Sequence, residues 1–252
     1  MRFFIALFFV SIYFTASAQN NEGQVTYEEK TNVWKNLPPR MEEFKDRIPE
    51  FRTVEKVLYF TPTESLYTLP PEEEKKEDEV TDVSREGRWA RRMGRGRSQS
   101  VLYRNLEENT GVEERNFFGK VFLVDGTAEP IKWKVTGEQK QVGSYLCMQA
   151  VFKDSTRNIE AWFTPMIPVS AGPENFTNLP GLVLHVDIDE GSRMFTAQNI
   201  NLEKLDMNLL QKPTKGQKVS REKFDKIVKE KMQEMKDSQG GRGGGGRFRI
   251  RQ

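Results

Sequence analysis

The sequence predicts a mainly β protein: an antiparallel, strongly curved sheet or half-open barrel with one C-terminal helix. Three observations carry this reading. Short alternating apolar runs recur between Gly23 and Ile200, bounded by turn residues. No long helical pattern alternates with them, which argues against a βαβ sheet. One amphipathic run near the end places Phe224, Ile227, Val228, Lys231, Met232 and Met235 on one helical face, behind Ser220 as a cap.

Residues 1–18 read as a secretory signal peptide. Arg2 supplies the positive region, Phe3 to Phe14 is apolar apart from Ser11, and Ala16-Ser17-Ala18 is a cleavage site before Gln19. The apolar run is too short to span a bilayer comfortably, so no transmembrane segment is expected after cleavage. No cysteine follows the site, so a lipoprotein anchor is not expected.

Residues 19–236 are expected to form a single antiparallel β domain. Gly23 to Lys30 is a first strand, and Asn36 to Pro49 a proline-rich excursion with a short helical pattern. Thr53 to Phe60 and Ser65 to Leu69 are strands joined by the turn residues Thr61-Pro62-Thr63-Glu64. Val101 to Leu106, Glu114 to Val124 and Ile131 to Val135 follow, the last with Ile131, Trp133 and Val135 on one face and Lys132 and Lys134 in water. Gly137-Glu138 reads as a turn. Ser144 to Phe152 is apolar on both faces, as in a central strand. Ile159 to Phe163 pairs Trp162 with Glu160 on one face, and Leu182, Leu184, Val186 and Ile188 share one side of the next strand. Arg193 to Ile200 completes roughly ten strands, and residues 220–236 form the helix.

Two stretches break the pattern. Residues 70–98 hold an acidic run, Glu72 to Glu79, and then six arginines between Arg85 and Arg97, without apolar periodicity. This reads as a disordered insertion, or as a docking segment anchored by Trp89. Residues 237–252 form a flexible Gly/Arg-rich tail.

Composition narrows the chemistry. The 252 residues are 36% hydrophobic and 30% charged, with a formal net charge of +2, so no global attraction to nucleic acid or membrane is implied. One cysteine, Cys147, and one histidine, His185, preclude an internal disulfide and a multi-Cys/His zinc site. Cys147 reads as a buried small hydrophobe, with a soft copper(I) site including Met148, Met166 or Met194 as the weaker alternative. His185 lacks a placed nucleophile and orienting acid, so no enzyme, metal or cofactor is expected.

The densest motifs lie between Trp133 and Leu184. They are Trp133, then Gly143-Ser144-Tyr145-Leu146-Cys147-Met148-Gln149-Ala150, then Ala161-Trp162-Phe163-Thr164-Pro165-Met166-Ile167-Pro168, then Asn178-Leu179-Pro180-Gly181-Leu182-Val183. In this order they resemble the GLPGLI family of bacterial exported proteins. Asn178 replaces the signature's first glycine, Val183 replaces its isoleucine, and Ser144 is an extra residue. The resemblance implies an exported envelope protein of uncharacterised function, in the periplasm or at the outer membrane of a Gram-negative bacterium.

Pro165, Pro168, Leu179, Pro180, Gly181 and Leu182 are expected to form a structural loop, since proline fixes φ and glycine permits a sharp bend. Trp133, Tyr145, Trp162, Phe163 and Phe176 are the expected binding residues, holding an apolar ligand or envelope protein partner against the sheet. The alternative is an accessory subunit of an outer-membrane assembly, docking through the insertion and tail. Nucleic acid is not an expected partner, and oligomeric state is not readable from these patterns.

Overall fold

The computed structural model describes residues 21–37, 39–71, 100–126 and 130–240. The expected leader, nearly all of the charged insertion and most of the Gly/Arg tail lie outside them. The described residues build one twelve-stranded sheet: β1 (Gly23–Asn32), β2 (Phe51–Phe60), β3 (Glu64–Thr68), β4 (Val101–Asn105), β5 (Thr110–Phe117), β6 (Lys120–Asp125), β7 (Lys134–Val142), β8 (Tyr145–Lys153), β9 (Asn158–Thr164), β10 (Leu182–Ile188), β11 (Arg193–Asn201) and β12 (Gln217–Ser220). One helix, α1 (Arg221–Gly240), follows directly. Its cap is Ser220, whose Oγ accepts from the Lys223 amide at 3.3 Å.

The strand order is β12-β6-β5-β4-β3-β2-β1-β11-β10-β9-β8-β7, so the sheet is open, with β12 and β7 at its edges. It is not a barrel. All neighbours run antiparallel except β12, which lies parallel to β6. That short strand was not expected. The first strand sits centrally, pairing with β2 on one side and β11 on the other.

Local chemistry explains the turns. Thr61 Oγ1 accepts from the Glu64 amide at 3.1 Å, and the Thr61 amide bonds back to the Glu64 carbonyl, closing the β2–β3 hairpin. Gly137, at φ 86°, is not a hairpin turn. It lies in a bulge where the β7–β8 register slips between Val135 and Gln139. The hairpin closes later, at Gly143-Ser144. Consequently Trp133 precedes β7 rather than lying within it, and Val135 is exposed where Ile131 and Trp133 pack on the core. A second bulge between Val183 and His185 breaks the expected alternation in β10, and Val183 and Leu184 are both fully buried.

The main core joins Val25, Tyr27, Leu58, Phe60 and Phe195 of the central strands to Ile167, Val169, Ala171, Phe176 and Leu179 of the β9–β10 loop. The same cluster takes in Cys147 and Ala150 of β8. Thus β8, expected to be central, is next to an edge, and its burial comes from cover rather than from lateral position. Val57, Tyr59, Leu66 and Tyr103 pack on Leu205 and Leu210 from the β11–β12 connection. A third cluster seats Phe224, Ile227 and Val228 of α1 on Phe122, Val124 and Val219.

Candidate functional site

Residues 165–181 leave the end of β9, run over the core and return to β10. Successive i+2 bonds satisfy this loop internally: the Val169, Ala171 and Gly181 amides bond the Ile167, Val169 and Leu179 carbonyls at 2.8 Å each. The Leu182 and Val183 amides then bond the Ile167 and Ala171 carbonyls at 3.0 Å, tying the loop to its exit strand. Gly181 is required by space, because a Cβ there would stand 2.2 Å from the Thr164 carbonyl oxygen. Asn178 has φ 65°, left-handed backbone that asparagine tolerates better than most residues. Asparagine and glycine are therefore conformational equivalents at this position.

The five aromatics singled out above are brought together, chiefly as packing. Phe163 and Phe176 are buried, Phe176 edge-on to Phe195 at 5.4 Å between centroids. Trp162 is buried, donates Nε1–H to Glu160 Oε1 at 2.5 Å, and carries the Lys140 ammonium 4.1 Å above its ring. Trp133 is half-buried and donates to the Thr177 carbonyl at 2.8 Å, fastening the loop to the approach of β7. Tyr145 is half-buried against the core. Exposed apolar area lies nearby instead: Leu146 is 51% exposed beside the edge and Met166 60% exposed at the loop's start.

Beneath the loop lies a charged cluster that sequence reasoning missed. Arg193 on β11 donates Nη1–H to Glu174 Oε2 at 2.8 Å and Nη2–H to Glu174 Oε1 at 2.5 Å, and its Nε–H goes to Glu29 Oε1 at 3.0 Å. Loop and central strand are thus clamped through one guanidinium. Lys56, 1% exposed, ion-pairs with Glu29 at 3.6 Å and lies over the Tyr67 ring at 5.2 Å. Burial pushes the Glu174 carboxyl up, and Arg193, with Lys56 and Arg115 behind it, more than offsets this, holding it below the usual range. Glu174 itself sits at φ 46°, a strained position held by the clamp. The missed signal was strand parity. Glu29 is in phase with Val25 and Tyr27, and Lys56 with Leu58 and Phe60, so both were due to face inward.

The single histidine and the single cysteine each have hydrogen-bond neighbours. His185 Nδ1 lies 2.9 Å from the Thr196 hydroxyl, and burial followed by Lys140 lowers its pKa. Burial raises the Cys147 thiol to about 11, against the smaller pull of Lys140. No group of three His, Cys, Asp or Glu side chains suited to a metal occurs among the described residues.

A family model described as a protein of unknown function (Porph_ging) matches residues 152–185, from the end of β8 through β9 and the loop into β10. No curated protein matches the chain. Among solved structures, PNGF-II in a P21 crystal form superposes with TM-score 0.55 at 15% identity, covering 82% of this chain and 33% of that one. The C2 form of PNGF-II gives the same score and identity, with 32% of that chain covered. The chain therefore spans about a third of the length of PNGF-II, and the likeness is one of fold.

Proposed function

We propose that this is an exported, non-enzymatic binding module of the bacterial envelope that takes an extended segment of a partner protein. The observation that carries this is the outer edge of β7, nine residues, mostly exposed, that among the described residues pair with no strand but β8. Edge strands present unpaired N–H and C=O groups that an incoming strand can pair with. Exposed Val135, Leu146 and Met166 offer apolar contacts nearby. A partner segment suits this better than an enclosed apolar ligand, because Trp162, Phe163 and Phe176 are committed to internal packing. The bulge and Lys134 act as gatekeepers, so a partner pairs over 139–142 and carries neutral or acidic side chains. His185 and Cys147, engaged as described, support a non-catalytic reading.

A photo-reactive residue in place of Gln139 tests this in envelope extracts of the native host. A specific cross-linked polypeptide is expected, and it should disappear in the Leu146→Glu/Met166→Glu variant. Cross-linking no stronger than from the same probe at Glu203, or persisting in the variant, overturns the proposal. A second reading, an accessory subunit docking by its helix, draws on α1. Phe224, Ile227 and Val228 of its first two turns pack on the sheet, while Met232 further along is exposed.

A further inference from the structure

At the β4–β5–α1 end of the sheet, three arginines lie near one buried carboxylate among the described residues. Arg115 on β5 and Arg221 at the start of α1 share this carboxylate, Glu113, and Arg104 on β4 feels both Arg221 and Glu113. Glu113, 6% exposed, accepts from Arg115 Nε at 2.5 Å and from Arg221 Nη2 at 3.3 Å. Arg104, 4% exposed, donates Nη2–H to Asn175 Oδ1, a neutral acceptor. Glu174, which Arg115 also acts on, is taken up by Arg193, and Glu222 beside Arg221 is exposed. Two donors remain without partners: the Nε–H of Arg104 and the Nε–H of Arg221, both shielded from solvent. Buried donors left unpaired are costly, and buried guanidinium charges more so. Burial, and then repulsion from Arg221, lowers the Arg104 pKa to about 10, with Glu113 opposing. Arg221 also occupies the first helical position, where the backbone field favours negative charge.

We propose that the two arginines, Arg104 and Arg221, form a binding site for an oxyanion, the carboxylate or phosphate group of a ligand, held by their free Nε–H donors. A planar guanidinium fork matches either group. An anion there would satisfy both donors and add to the neutralisation that Glu113 supplies. This site lies across the sheet from β7, so it stands or falls independently of the edge-strand proposal.

The test is calorimetric titration of the full-length protein with inorganic phosphate and, separately, with acetate, at constant ionic strength. Saturable one-to-one binding of either is expected. Phosphate alone identifies a phosphoryl ligand and acetate alone a carboxylate ligand, and both outcomes support the site. Arg104→Met should weaken binding at least tenfold, while Arg157→Ala, an exposed arginine elsewhere, should leave it unchanged. If Arg104→Met does not fold by circular dichroism, Arg221→Met decides, with the same expected loss. Absence of saturable binding of both ions, or undiminished affinity in a folded Arg104→Met or Arg221→Met protein, overturns the proposal.

Discussion

Arg193 shows how much one side chain decides. Its guanidinium holds two carboxylates from segments 145 residues apart in the sequence, Glu29 and Glu174, and stacks over Phe195 at 4.6 Å. Removing one partner of a buried ion pair leaves uncompensated charge, so Arg193→Met should cost about 3–5 kcal/mol at neutral pH. The pH dependence follows from Glu174. Its folded pKa lies below the ordinary 4.5, so the unfolded chain binds the proton more readily. The stability this contributes is fully present above 4.5 and is lost as pH falls through the lower folded value. Urea unfolding between pH 7 and 3 should show this acid-side loss in the native protein and a much flatter profile in Arg193→Met. Equal slopes in the two proteins would rule out the clamp.

At the scale of the element, α1 divides into an anchored beginning and an exposed stretch from Lys229 to Glu234. Phe224 is buried between Phe117 and Phe122, with ring centroids 5.9 and 5.4 Å away. Lys226, Glu230, Lys231 and Glu234 form only exposed i,i+3 and i,i+4 pairs, which stabilise a helix by a few tenths of a kcal/mol each. Phe224→Ala should therefore cost about 3–5 kcal/mol, and Met232→Ala less than about 0.5 kcal/mol. Thermal denaturation of the two variants checks this, and similar losses in both would mean that the distal helix is packed. The amphipathic period was plain in the sequence. How far along the helix its apolar stripe finds a surface was not, because β12 and β6 end where they do.

Across the whole molecule, stability should grade from the middle of the sheet outward. β1, β2 and β11 pair on both sides along long ladders, whereas β7 pairs on one side and is interrupted by its bulge. Native-state hydrogen exchange should find the slowest amides in β1 and the fastest strand amides in the edge strands β7 and β12. Comparable protection in β7 would indicate that its edge is covered in solution.

The sequence by itself determined the all-β class, most strand positions, the Ser220-capped helix and the loop between β9 and β10. These depend on periodicity and on Gly and Pro backbone limits, which act over a few residues. Gly181 and Pro180 mark that loop in the sequence alone. Only the tertiary structure decided which strands are central, that the sheet stays open, and that the chosen aromatics are largely internal. A period-2 pattern says that a side chain is covered, not what covers it, and so β8 looked central when the loop was burying it. The charged cluster was hidden for a related reason. Glu29, Lys56, Glu174 and Arg193 are ordinary surface residues in isolation, and their meaning comes from pairings between distant segments that only the folded sheet brings together.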